Sequence, residues 1–151
     1  MPEAALRVFS LKVMSPERTV FAGQARSLVA PGREGYFGVL AHHAAMVAEL
    51  GIGKLAIAGD DGRRMLYAIA GGFLEVSDNH VTILVDAGER ADEIDMARAE
   101  ASEHRAEGRL KEQRSKAREK DVDTARATAA LHRALNRLRV AREGRSSAPR
   151  E

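Results

Sequence analysis

The sequence predicts an α+β protein, β then α: an N-terminal antiparallel β-sandwich followed by a C-terminal antiparallel two-helix hairpin. Three observations carry this. The whole aromatic set, Phe9, Phe21, Tyr36, Phe37, Tyr67 and Phe73, precedes residue 74. Of the 13 glycines, only Gly108 and Gly144 follow Gly88. From Ala91 the apolar residues recur at helical spacing instead of alternating. Aromatic and turn-forming residues build packed sheets, whereas Ala, Arg and Glu favour exposed helices. The break divides the chain into a sandwich over 1–88, a hairpin over 89–143 and a disordered tail over 144–151.

Each element has its own signal. Phe9, Leu11 and Val13 alternate with Ser10 and Lys12, the period of a half-buried strand. Ser15-Pro16-Glu17 turns the chain, and residues 19–21 and 27–30 are short strands, the latter stopped by Pro31-Gly32. Residues 54–58 and 65–70 flank Gly59-Asp60-Asp61-Gly62, a hairpin signal. Residues 73–76 and 81–85 flank Ser77-Asp78-Asn79, a second one. In the first helix Ile94, Ala97, Ala101 and Gly108 share a face, with Leu110 near its end. Asp92 is its expected cap, and Asp95 sits near the positive end of its dipole. Residues 113–120 lack an apolar stripe and read as a solvated connection. Asp121 then caps a second helix in which Ala127, Leu131, Ala134, Leu138 and Ala141 form a narrow seam. Small residues along such a seam let helices approach closely. Gly108, inside the first helix, costs about 1 kcal/mol relative to Ala.

Charge and composition exclude several functions. Residues 1–88 carry 8 Lys+Arg against 9 Asp+Glu (net −1), and residues 89–151 carry 16 against 13 (net +3). A basic hairpin raises nucleic acid as a partner through Lys111, Arg114, Lys116, Arg118 and Lys120. The interspersed Glu107, Glu112 and Glu119, and the lack of aromatics for base stacking, weigh against it. With 0 Cys there is no disulfide framework or thiolate metal site. No apolar run approaches the roughly 18–20 residues of a membrane span, and the N-terminus lacks a signal-peptide pattern. No P-loop, dinucleotide fingerprint or nucleophile elbow is present, so no catalytic residue is assigned. His42 and His43 are adjacent, and His104 and His132 form at most a pair, so no metal centre is expected.

The hairpin contains an echo. Ile94-Asp95-Met96-Ala97-Arg98-Ala99 is repeated in pattern by Val122-Asp123-Thr124-Ala125-Arg126-Ala127. In each, an acid precedes an arginine by three positions, which places the two on one helical face. Two helix N-termini with local ion pairs account for this. Arg126, Arg133 and Arg137, spaced by seven and four, lie on one face and suit either phosphate chelation or a solvated flank.

Five motifs in order carry a resemblance. They are Gly35-Tyr36-Phe37-Gly38-Val39-Leu40-Ala41-His42-His43-Ala44, Ala70-Gly71-Gly72-Phe73-Leu74-Glu75-Val76, Val81-Thr82-Ile83-Leu84-Val85, Glu89-Arg90-Ala91 with Ile94-Asp95 and Arg98-Ala99, and Leu131-His132-Arg133-Ala134-Leu135-Asn136-Arg137-Leu138. Together they make the chain similar to the epsilon subunit of bacterial F-type ATP synthase. The resemblance implies a ten-stranded sandwich and a two-helix hairpin in the central stalk, peripheral on the cytoplasmic side of the bacterial membrane. The sandwich would bind the gamma subunit and rest on the membrane c-ring through a loop holding Tyr36, Phe37, Gly38, His42 and His43. The hairpin would fold against the sandwich or extend into the alpha and beta subunits of the catalytic head and block ATP hydrolysis. In some members the compact hairpin binds ATP through Ile/Leu-Asp-x-x-Arg-Ala, here Ile94, Asp95, Arg98 and Ala99. Glu89, Arg133 and Arg137 resemble further positions of that site, and Arg126 shares their arginine face. The resemblance implies no required cofactor, and ATP would be a regulatory ligand. Ala41 and Ala45 stand where the family usually has prolines, which predicts a more mobile loop. A stand-alone ATP sensor remains the alternative function, as does a nucleic-acid-binding hairpin.

Overall fold

The computed structural model describes residues 7–115 and 121–146. The expected strands form, but longer and fewer than their turn signals suggest. β1 spans Phe9–Met14, β2 Thr19–Gly32, β3 Gly35–Leu40, β4 Met46–Gly59, β5 Arg64–Ser77 and β6 His80–Arg90. The two short strands expected at 19–21 and 27–30 are one strand, β2, broken in register between Ala25 and Ser27. The strands at 65–70 and 73–76 are likewise one, β5, passing through Gly71 and Gly72 with φ of 71° and 137°. A Cβ on Gly72 would collide with the Leu84 carbonyl oxygen, so only glycine fits there.

The sheet order is β1-β6-β5-β4-β2-β3, and β1 also pairs with β2. All pairings are antiparallel except β1 with β6. Four strands bend near Arg26, Gly51, Gly71-Gly72 and Asp86, and each serves both layers. One layer holds β1 with the first halves of β2, β4 and β6 and the second half of β5. The other holds β3 with the complementary halves. Six continuous strands thus supply the ten segments of the sandwich.

Between the layers lies the main core, including Phe9, Leu11, Val13, Leu28, Leu55, Ile57, Ile69, Leu74 and Ile83. Complete burial of one such side chain contributes about 1.5–3 kcal/mol. A second, smaller cluster lies on the outer face of β4 and β5. There Ala56, Leu66 and Ala68 meet Ala91, Ile94, Val140 and Ala141.

Beyond β6 a 3-10 turn covers Ala91–Glu93, then α1 spans Met96–Ser115 and α2 spans Asp121–Ser146. The α2 seam forms as its spacing predicts: Ala127, Ala134, Leu138 and Ala141 are buried and Leu131 is half-buried. In α1 the expected face is displaced. Ala97, Ala101 and Gly108 are exposed, and Ala99 and Ala106 carry the seam. The reason is the entry geometry: Ile94 is extended, ahead of the helix, so the period restarts at Met96. Three boundaries also move. β6 runs to Arg90, past the compositional break. α1 includes 113–115, leaving 116–120 of the expected connection outside the described residues. α2 takes in Gly144, Arg145 and Ser146, so only 147–151 of the expected tail lies outside the described residues.

Candidate functional site

The joint between sheet and hairpin concentrates the predicted ligand residues. Ala91 and Ile94 are buried against Val140 and Ala141 of α2. Asp95, not Asp92, caps α1: its Oδ1 accepts the Arg98 backbone N–H at 3.1 Å, and its carbonyl accepts the Ala99 N–H at 3.0 Å. Asp92 instead accepts from Arg90 Nη2 at 2.7 Å within the 3-10 turn. Ala99 is fully buried in the helix seam, and Arg98 is exposed. In this motif Ile94 and Ala99 pack, Asp95 caps, and Arg98 faces solvent. The echo at 122–127 is described from Thr124 onward, with Arg126 exposed; Val122 and Asp123 lie outside the described side chains.

Glu89, at the end of β6, meets Arg137 on α2. Arg137 Nη2 donates to Oε2 at 3.1 Å, and Nε stands 2.7 Å from Oε1. That Nε is buried, and its N–H does not align as a hydrogen bond. Arg126 and Arg133 border a different feature. With Arg109 and Gln113 of α1 they line a cleft of about 490 Å³ over Ala127, Ala129 and Ala130. The three predicted arginines of α2 therefore border two features, a sheet-side ion pair and an inter-helix cleft. Arg109 lies outside the sequence-predicted set. Its i, i+4 relation to Gln113 is the signal that would have found it.

Tyr67 sits beneath the joint, opposite Arg90 in the β5–β6 register and 2% exposed. Burial raises its phenol above the ordinary 10.0; Arg90 opposes that rise, and Glu93 and Asp92 add to it. Arg90 is itself raised, mainly by its hydrogen bond to Asp92.

The predicted contact loop separates. Tyr36 is exposed and stands beside Leu135 and Asn136 of α2, with its hydroxyl accepting the Lys54 N–H at 3.0 Å. Phe37 turns inward against the core, and Gly38 is exposed on β3, at the end of the sheet order. His42 has φ of 60°, and its N–H donates to Asn79 Oδ1 at 2.7 Å. Asn79 Nδ2 in turn donates to the Val8 carbonyl at 2.9 Å, tying this turn to the start of β1. Half-buried His43 places Nδ1 2.8 Å from the Ala44 carbonyl oxygen.

A second surface escaped the sequence reading. Val47, Phe73 and Leu84 are 72%, 56% and 53% exposed on the layer away from the helices. Phe73 faces Leu84 directly and Val47 diagonally. Their signal was apolar residues at outward positions of alternating strands.

Residues 8–91 match the family model for the β-sandwich domain of the ATP synthase delta/epsilon chain. Residues 92–142 match that for its long α-helix domain. The chain is 49% identical over 100 residues to an ATP synthase epsilon chain of Pelotomaculum thermopropionicum, covering 66% of this chain and 74% of that one. It is 45% identical over 107 residues to one of Symbiobacterium thermophilum, covering 70% and 76%. Its fold resembles a chain in the Euglena gracilis mitochondrial ATP synthase (OSCP/F1/c-ring), with a TM-score of 0.73 at 20% identity over 93% of this chain and 82% of that one.

Proposed function

Because the chain belongs to the ATP synthase delta/epsilon chain family, we propose that it is a non-catalytic central-stalk rotor subunit. It couples rotation to ATP synthesis, and its C-terminal helices inhibit ATP hydrolysis. The observation that carries this reading is the contrast between two attachments. The sandwich is closed around a full core, whereas α2 rests on it through a small cluster rich in alanine. A rigid body with a lightly held arm suits a rotor subunit with a regulatory element. At about 1.5 Å per residue, the 26 residues of α2 reach roughly 39 Å, far enough to enter the alpha and beta head.

Two surfaces suit its partners. The row Val47, Phe73 and Leu84 offers apolar area for the gamma subunit. The end formed by His42, His43 and Asn79 suits the c-ring, with Tyr36, Phe37 and Gly38 along the adjoining β3. Among the described residues no helix is long and apolar enough to cross a membrane. The subunit is assigned to the cytoplasmic side of the bacterial membrane, held there by these partners.

ATP is the proposed regulatory ligand, taken by Glu89, Ile94, Asp95, Arg98, Ala99, Arg126, Arg133 and Arg137. Exposed Arg98, and the arginines of α2, supply the cations for its phosphates. Ligand at about a hundred times its dissociation constant stabilises the docked hairpin by roughly 2.7 kcal/mol. The test is truncation after Arg90, the true end of the sheet. Assembled enzyme carrying the truncated subunit should hydrolyse ATP faster than wild type; an unchanged rate removes the inhibitory role. Calorimetry should show heat with millimolar ATP that Arg98→Ala abolishes; no heat in the wild type removes the nucleotide role.

A further inference from the structure

The apolar contact between α2 and the sheet consists largely of methyl groups: Val140 and Ala141 over Ala56, Leu66 and Ala68. Such contact is non-directional and leaves a helix free to slide or turn. Directional contacts lie beside it. Glu143 accepts from Lys54 Nζ through both oxygens, at 2.8 and 2.9 Å, with Arg64 Nη2 3.7 Å from Oε1. Asn136 Nδ2 donates to the Gly53 carbonyl at 2.8 Å and lies 3.4 Å from that of Ile69. Gly53 and Ile69 are register partners on β4 and β5. Asn136 and Glu143 are two turns apart on one face of α2 and engage the consecutive residues Gly53 and Lys54. One position on, a Cβ at Gly144 would lie 2.5 Å from that of Ala91, so its absence lets α2 close on the 3-10 turn.

We propose that Lys54, Arg64, Glu143 and Asn136 form a polar lock that positions α2 on the sheet and thereby sets Arg137 against Glu89. Asn136 fixes the register, and Glu143 fixes the end of the helix. Side-chain exposures of 28% for Lys54 and 32% for Glu143 screen this pair less than an open surface pair. The lock deepens the reading of the hairpin as a regulatory arm and rests on it for its consequence. Hydrogen exchange reads the lock alone and hydrolysis reads the arm, so the two fail separately.

Amide hydrogen exchange on the full chain tests it, with wild type, Lys54→Met, Glu143→Gln, the double variant and Lys54→Arg. In either single variant the α2 amides should exchange roughly five- to thirty-fold faster. The double variant should exchange no faster than the faster single, because the pair is broken only once. Lys54→Arg should stay near wild type, and β1 and β6 should be unchanged. Wild-type α2 exchange in the singles, additive acceleration in the double, or equal acceleration in β1 and β6 would overturn the lock.

Discussion

Asp95 shows how one side chain serves both fold and site. Its carboxylate is committed to the Arg98 backbone N–H, so the motif that resembles a nucleotide site is also a helix start. The two roles separate by substitution. Asp95→Ala should cost about 1 kcal/mol through the lost cap, whereas Asn caps as well as Asp. Asp95→Asn should therefore keep wild-type stability in urea while reducing the heat of ATP binding. Tyr67 gives a pH signature. Burial favours its neutral phenol, so its folded pKa is above its unfolded value. Its stabilising contribution is complete below about pH 10 and lost as pH rises through the higher folded value. Stability to urea between about pH 9 and 11 should fall less steeply for Tyr67→Phe than for wild type. Single positions were legible in part. Ile94, Asp95 and Arg98 stood out by spacing, whereas Glu89 and Arg137 were grouped only through the resemblance, because they meet only through the fold.

At the scale of elements, the sequence marked where segments lie better than where they join. Residues 65–70 and 73–76 read as two strands, yet Gly71 and Gly72 carry one strand, β5, through a bend. Local turn signals mark a change of direction without saying whether pairing continues across it. The α2 seam was legible because a regular spacing with two leucines defines a face. The α1 face was not, since alanines lie all around it and, among the described residues of the helix, only Ala99 and Ala106 are buried. Two glycines make opposite predictions. Gly108 is exposed in an unbroken helix, and a methyl added there would meet nothing within 4 Å. Gly108→Ala should stabilise α1 by up to about 1 kcal/mol, seen as slower exchange of its amides. Gly144→Ala should instead drive a methyl into Ala91 and speed exchange at the end of α2.

Over the whole molecule the compositional break corresponds to a mechanical one, displaced to Arg90. The sandwich holds itself together by its own core. The hairpin is held by a thin apolar patch, a polar lock and the Glu89–Arg137 pair. The α+β division was readable because it rests on composition, which is averaged over many residues. The mode of attachment was not, because it depends on contacts between residues up to 89 positions apart. On the proposed reading, this docking equilibrium governs hydrolysis. The direct measurement is ATP hydrolysis by the assembled enzyme at low ATP, compared across wild type, Lys54→Met, Glu143→Gln and truncation after Arg90, against the α2 exchange rate of each full-length chain. Hydrolysis should fall as α2 opens more readily and be fastest in the truncated enzyme. A rate that ignores α2 opening, or a truncated enzyme no faster than wild type, would contradict it.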